Sequence, residues 1–368
     1  MSYAQATIAE ARPPKKTVLV TGASGFIGFA VSRAFARAGW DVHGLVRRTE
    51  AADALRAEEI TPLVGAISAD LAFADELLAR PSTRPFDVVV SCTEQFPFHE
   101  HWDHVLALLV KVAGHARQHG ATKPLVLMSS GCKDYGLTGR HGDTGLQPHT
   151  EDSPLRPTDI LEGRTFCTLK VFEHPDLFDG TVLRPTPLFG YGGSYYGLIF
   201  EALRVSGLGA DGSPVNVPGH PDTIYHGCHV DDCADAYVAL ATHPVRAEVN
   251  GQCFNISAHR YETVSDIMAA VSAEYSIQSG IAMTPLAEVK RPELRILEPI
   301  LGYTQWVDST KIRKLTGWID RKPLFSENLP VYRHAYEAAA RAGDAGVARI
   351  QDRVAKWVAA GVKIGRTE

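Results

Sequence analysis

The chain has 368 residues, 45% hydrophobic and 21% charged, with a formal charge of −5 and a pI near 6.3. That balance suits a globular enzyme of roughly two domains, and it gives no electrostatic reason to expect nucleic acid or an anionic membrane as partner. No apolar run reaches the roughly 18 residues of a membrane-spanning helix. Met1–Lys16 lacks the apolar core of a secretion signal, so a solvated leader on a cytoplasmic protein is expected.

The first element is a β-rich run, Thr17 to Thr21, that meets Gly22-Ala23-Ser24-Gly25-Phe26-Ile27-Gly28. An apolar pattern of helical period follows (Phe29, Val31, Phe35, Ala38). Strand, glycine-rich turn and helix in that order are what a dinucleotide pyrophosphate needs. Gly22 permits a tight turn, Gly25 a close backbone approach to phosphate, and Gly28 close packing of helix on strand. Free N–H groups at the helix start, around Ser24, Phe26 and Ile27, then face the anion. The second strand, Trp40 to Val46, ends on Arg47-Arg48. This lies about 20 residues past the glycines, where an acidic side chain would hold a ribose 2′-hydroxyl. Two guanidiniums there suit a 2′-phosphate, so NADP(H) is favoured over NAD(H).

A helix is expected over Ala51–Glu59, a short strand at Thr61–Gly65 and a helix over Ala72–Ala79, preceded by Asp70-Leu71. Phe86 to Thr93 is a buried strand by its continuous β-branched run. The segment Gln95 to Trp102 is aromatic and His-rich, and it is expected as a loop. It follows the carboxyl end of a strand, where ligands bind in open α/β sheets, so Phe96 and Phe98 either wall a substrate pocket or pack on a neighbouring loop. Val105–His119 is helical, and the strand Pro124–Met128 runs into Ser129-Ser130-Gly131-Cys132-Lys133-Asp134-Tyr135-Gly136. A strand from Thr181 to Gly190, another at Asn250–Ile256 and an amphipathic helix over Asp344–Ala360 complete the pattern. That last helix either docks on the body or meets a partner or membrane surface. Cys92, Cys132, Cys167, Cys228, Cys233 and Cys253 are scattered without a Cys-x-x-Cys pair, which predicts reduced, buried thiols. Cys228-His229 and Cys233 lack a second ligand cluster, so no metal is expected.

The Thr-Gly-x-x-Gly-x-x-Gly spacing resembles the short-chain dehydrogenase/reductase superfamily, and Gly25-Phe26-Ile27-Gly28 looks like its extended branch, the NAD(P)-dependent epimerase/dehydratase family. Further similar marks are Ser129-Ser130…Tyr135-Gly136, the acidic Glu151…Pro154-Leu155-Arg156-Pro157 loop, Leu183-Arg184-Pro185…Gly190, Val230-Asp231-Asp232 and Gly317-Trp318, so the likeness spans about residues 16–340. The resemblance implies a Rossmann-like, doubly wound parallel sheet of about seven strands with a smaller mixed α/β substrate lobe. It divides the chain into a leader (1–16), a dinucleotide domain (17–186), a lobe (187–340, returning to the core near 225–256) and a C-terminal helix (341–368). It also implies that Asp70 and Leu71 meet the adenine edge, though Asp70 serves equally as a helix N-cap. Ser91, Cys92 and Thr93 stand where the family carries His-x-Ala-Ala along the cofactor, and Pro185 borders the nicotinamide. A homodimer is plausible by the same resemblance.

Family enzymes use Tyr-x-x-x-Lys on one helix face, the lysine charge lowering the phenol's pKa. None of the twelve tyrosines has lysine four residues later; Phe166-Cys167-Thr168-Leu169-Lys170 stands in that place. Lys170 still suits the nicotinamide ribose, and Ser130 either polarises a substrate oxygen or is an ordinary strand-end serine. Tyr135 or a pocket residue (Tyr191, Tyr195, Tyr225, His226) is left to supply the proton. Three readings follow: an NADP(H)-dependent oxidoreductase for a small carbonyl or hydroxyl compound, a non-redox isomerase, dehydratase or cyclase that keeps the cofactor, and a non-catalytic NADP(H) sensor.

Overall fold

The computed structural model describes residues 15–207 and 215–359; the expected leader to residue 14 and the last residues of the chain lie outside them. Seven parallel strands form the central sheet: β1 (Thr17–Thr21), β2 (Asp41–Val46), β3 (Thr61–Val64), β4 (Val88–Ser91), β5 (Leu125–Ser129), β6 (Asp179–Pro185) and β7 (Gln252–Ile256). Their spatial order is β7-β6-β5-β4-β1-β2-β3. The order reverses at β1, which places a crevice between the carboxyl ends of β1 and β4.

Alternation along the strands supplies two apolar faces. Val18, Val20, Val88, Val90, Leu125 and Leu127 share one core with helices α1 (Phe26–Arg37) and, later in the chain, Val230–Thr242. Leu19, Val89, Val126, Met128 and Val182 point the other way, onto helices Ala72–Leu78 and Phe98–Gln118. Because both faces are covered, the strands are apolar throughout rather than alternating with polar residues, which is why β4 was legible as a buried run.

The segment expected as a loop through Trp102 is helical from Phe98 onward. Phe98, Trp102, Val105, Leu109 and Val112 are all buried, so the helical period already starts at Phe98, directly after Pro97. The expected sixth strand, Thr181 to Gly190, is also divided: β6 stops at Pro185, and Leu188–Phe189 pairs separately with Cys228–His229.

The lobe has its own core, built on aromatic rings: Phe189, Tyr196, Phe200, Phe325, Tyr332 and Tyr336. Strands Val215–Pro218 and Ile281–Thr284 pair in parallel, and the helix Val264–Glu274 begins on a capping box made by Thr263 and Asp266. The C-terminal helix Ala345–Ala359 buries Val347, Ile350 and Val354 in this core, so it docks on the body. No helix among the described residues is long and apolar enough to cross a membrane.

Candidate active site

At the crevice, Gly22 has φ +68°, and a methyl placed on it would stand 2.6 Å from the Cys92 carbonyl oxygen. A methyl on Gly28 would stand 2.2 Å from the Gly22 carbonyl oxygen, and one on Gly25 would stand 3.1 Å from the same atom. The turn is therefore closed to side chains at all three glycines. Helix α1 starts at Phe26 with no side-chain cap and no acidic residue in its first turn, which leaves its N-terminal N–H groups and dipole open to an anion. Gly193 of the lobe lies over this start, where a methyl would meet the Phe26 ring at 3.3 Å. Ser24 is exposed on the turn. These features fit a dinucleotide pyrophosphate.

Arg47 and Arg48 follow β2, both exposed and with side chains that have no ion-pair or hydrogen-bond partner among the described residues. The N-cap position of the helix Ala72–Leu78 is Leu71, not Asp70 as expected; Asp70, one residue earlier, accepts a hydrogen bond from the Ala72 N–H at 2.9 Å, and Leu71 is buried with Leu45, Leu63 and Leu77. Ser91 is buried at the end of β4. The Cys92 N–H donates to the Thr21 hydroxyl at 3.3 Å, and the Cys92 thiol lies 3.3 Å from the Ser129 hydroxyl. Thr93 holds the His101 Nε2 at 3.0–3.1 Å through its hydroxyl and carbonyl. Pro185 is buried at the end of β6.

The helix Asp159–Leu169 carries Phe166, exposed to 47%, and ends at Lys170, which is half-buried. Ser130 and Tyr135, expected respectively to polarise the substrate oxygen and to supply the proton, are committed elsewhere. Ser130 donates its hydroxyl to Asp134 at 2.6 Å, so it does not point at a substrate oxygen. Asp134 is fully buried and accepts also from Arg164 Nη2 (2.7 Å), Thr165 Oγ1 (2.8 Å) and Arg184 Nε (3.1 Å). Tyr135 is buried too: its hydroxyl donates to Asn255 Oδ1 (2.8 Å) and accepts from Arg184 Nη1 (2.9 Å), and burial pushes its pKa well up. It belongs to this network and has no free proton to give. Glu94 lies 3.6 Å from Arg164, so two carboxylates balance two guanidiniums. The network ties β5, β6, β7 and the helix Asp159–Leu169 together through one carboxylate.

The expected pocket residues divide. Tyr225 is buried in the lobe core against Tyr196, and His226 is buried with both ring nitrogens used: Nε2 donates to the Ala258 carbonyl at 3.0 Å and Nδ1 accepts from the Val307 N–H at 3.3 Å. Neither walls a pocket: Tyr225 packs inside the lobe core, and His226 bridges two backbone segments. Phe98 is buried under Gly163 and faces only a cavity of about 30 Å³, while Phe96 is 70% exposed and stacks on Phe98. Tyr191 donates to Asp231 at 2.6 Å and lies beneath Arg33, and Tyr195 is exposed beside Arg353.

Burial lowers the His226 pKa from 6.5 to about 4. Between those values the unfolded chain binds a proton that the folded chain refuses, so this contribution is whole above pH 6.5 and is lost as pH falls towards 4. The loss amounts to about 3 kcal/mol. Urea unfolding at pH 7.5 and 4.5 should therefore show a smaller acid penalty for His226→Gln than for the native chain; equal penalties would contradict this assignment.

Sequence reading did not single out Asp134, Arg164, Arg184 or Asn255. Asp134 lies inside the quoted Ser-Ser…Tyr-Gly segment and Arg164 two residues before Phe166, but only the fold brings them together. A second cleft lined by Arg156, His149 and Tyr303 was likewise missed, since its walls come from segments about 150 residues apart. Among the described residues no cluster of His, Cys, Asp or Glu is placed to hold a metal ion.

Comparison with known proteins agrees with the geometry. Among solved structures, UDP-glucuronic acid 4-epimerase from Bacillus cereus, in complex with UDP-glucuronic acid and NAD, superposes with a TM-score of 0.63 at 15% identity, covering 88% of this chain and 99% of that one. UDP-glucose-4-epimerase from Stenotrophomonas maltophila, with bound NAD and formylated UDP-arabinopyranose, gives 0.64 at 16% identity over 89% and 99%. dTDP-glucose 4,6-dehydratase from Bacillus anthracis, in complex with NAD, gives 0.63 at 15% over 88% and 97%. At such identities these likenesses establish the fold. No curated protein sequence matches. The model of the NAD dependent epimerase/dehydratase family matches residues 18–257, which is most of the chain and holds the glycine-rich turn, all seven strands and Lys170. The chain belongs to that family, the extended short-chain dehydrogenase/reductase type.

Proposed function

We propose that the protein is an NADP(H)-dependent oxidoreductase that acts on a small carbonyl or hydroxyl compound. The observation that carries this reading is the tight turn at Gly22–Gly28, whose three glycines leave no room for side chains of their own, followed, at the end of β2, by two arginines whose side chains have no partner among the described residues. Gly22, Gly25 and Gly28 leave room for the pyrophosphate, and the N–H groups of Phe26 and Ile27 face it. Arg47, with Arg48 beside it, binds the 2′-phosphate, and Lys170 holds the nicotinamide ribose. A bound nicotinamide supplies or accepts the hydride. The related structures named above hold NAD, so the preference for NADP rests on the arginines of this chain alone.

Arg47→Ala is expected to weaken NADPH binding by about 10- to 100-fold, the worth of one charge-assisted hydrogen-bond set, with NADH affinity unchanged. Calorimetric titration of both cofactors checks it; equal losses for both would remove the 2′-phosphate assignment.

A second reading, in which the cofactor is kept and the net reaction is not redox, is favoured by one observation: Ser130, Tyr135 and His226 all spend their polar atoms inside the protein, and Phe166 brings no phenol. General acid–base help is worth about 10²–10⁴-fold in rate, so a redox reaction here relies on a proton from the substrate or water. Incubation of NADPH-loaded protein with candidate carbonyl compounds decides between the two. Loss of the reduced nicotinamide absorbance supports the oxidoreductase; turnover without it supports the second reading.

A further inference from the structure

A cleft of about 460 Å³ opens between the segment 135–158 and Tyr303 of the lobe, a size typical of small-molecule sites. No aspartate or glutamate lines it. Its polar walls carry the Arg156 guanidinium, the hydroxyls of Ser153 and Thr158, the phenol of Tyr303 and the His149 imidazole. Arg156 is exposed, and its guanidinium has no hydrogen-bond or ion-pair partner among the described residues, while its backbone N–H donates to the Asp134 carbonyl at 2.9 Å. Thr158 precedes the helix Asp159–Leu169 yet makes no side-chain cap, so its hydroxyl is not spent on the helix. Ser153 Oγ accepts from the Thr150 N–H at 2.9 Å and keeps its own proton for another acceptor.

Tyr303 is the most telling wall. Its hydroxyl oxygen is buried without a hydrogen-bond partner, a situation that costs free energy unless a ligand supplies the acceptor. Burial raises its pKa, so it stays protonated and donates. The Lys133 ammonium stands 4.4 Å from the centre of the Tyr303 ring, which adds positive charge to the same wall. The remaining surface is apolar, from Leu137, Pro154 and the Tyr135 ring, on which His149 stacks at 5.3 Å.

We infer that this cleft takes an aromatic or otherwise apolar carboxylate, its carboxylate held by Arg156 and Tyr303 and its ring or chain lying on Leu137 and Pro154. An anion is selected because Arg156 carries an unpaired charge, the hydroxyls of Ser153 and Thr158 can donate beside it, and no carboxylate opposes it; an apolar body is selected because Leu137, Pro154 and the Tyr135 ring make up the apolar part of the wall. The inference rests on the reading of the protein as an enzyme for small molecules, and it names the class.

Benzoate and benzamide, one charged and one neutral, are suitable probes for calorimetric titration with and without saturating NADPH. Benzoate is expected to bind at least about 10-fold more tightly than benzamide, as a charge-assisted pair requires. Arg156→Gln, on the exposed side of the cleft, should abolish that preference, and Tyr303→Phe should reduce it while leaving the melting temperature near that of the native chain. Equal affinity for the two probes, no binding of either, or a benzoate affinity untouched by Arg156→Gln would overturn the inference. Failure of NADPH to bind would sink the cofactor reading instead, and the benzoate titration would still be decided on the free protein.

Discussion

Gly28→Ala is expected to abolish measurable dinucleotide binding and to lower stability by about 1–3 kcal/mol, the usual cost of forcing atoms into a filled space. The added methyl would meet Gly22 O at 2.2 Å, Gly22 C at 2.8 Å and Ala23 N at 3.2 Å. All three are backbone atoms, so no side chain can rotate away; α1 must shift off β1. That shift moves the N–H groups of Phe26 and Ile27, which the pyrophosphate needs in place. Gly114, inside the helix Phe98–Gln118, is the contrast. A methyl there meets nothing within 4 Å, and Gly114→Ala should stabilise by about 0.5–1 kcal/mol through helix propensity alone. Thermal unfolding together with cofactor titration of both variants checks the pair. Retained NADPH affinity in Gly28→Ala would show that the helix start is not the anion site.

Asp134→Asn is expected to cost about 3–5 kcal/mol, the range for removing one partner of a buried ion pair. Arg184 is 2% exposed, and with Asp134 neutral its guanidinium is left with the Tyr135 hydroxyl as its polar partner. Arg164 keeps only the more distant Glu94. The asparagine amide also presents donors where the carboxylate accepted from four groups. Asp352→Asn, which breaks an exposed pair with Lys356, should change stability by less than about 1 kcal/mol. Urea unfolding of both variants measures the contrast. An Asp134→Asn loss no larger than that of Asp352→Asn would mean that the network is not the clamp joining β5, β6 and the Asp159–Leu169 helix. Adding Arg184→Met to Asp134→Asn should recover part of the loss, because the stranded charge leaves with its partner.

The turn and the sheet were legible because they rest on local signals: glycine spacing after β1, and unbroken apolar runs in β4 and β5 that only a sheet covered on both faces requires. The start of the helix at Phe98 was hidden by its histidines and aromatics, although Phe98, Trp102 and Val105 already keep helical spacing. Site chemistry was harder to read, since a hydroxyl's role depends on its partner. Ser130 and Tyr135 stand in the quoted segment, but Asp134 between them and Arg184 on β6 claim their polar atoms. The positions of Tyr225 and His226 near the lobe suggested a pocket wall, while the fold buries Tyr225 in the lobe core and uses His226 to bridge the segments at Ala258 and Val307. The cleft at Arg156 and Tyr303 left no motif, because a shared charge deficit across two distant segments is visible only in three dimensions.

The proposed dinucleotide lies across the start of α1 with its 2′-phosphate at Arg47. Calorimetric titration of the purified chain with NADPH tests this most directly: one equivalent should bind, with an affinity that falls steeply in Arg47→Ala and vanishes in Gly28→Ala. Absence of binding to the native chain, or binding indifferent to both substitutions, would contradict it.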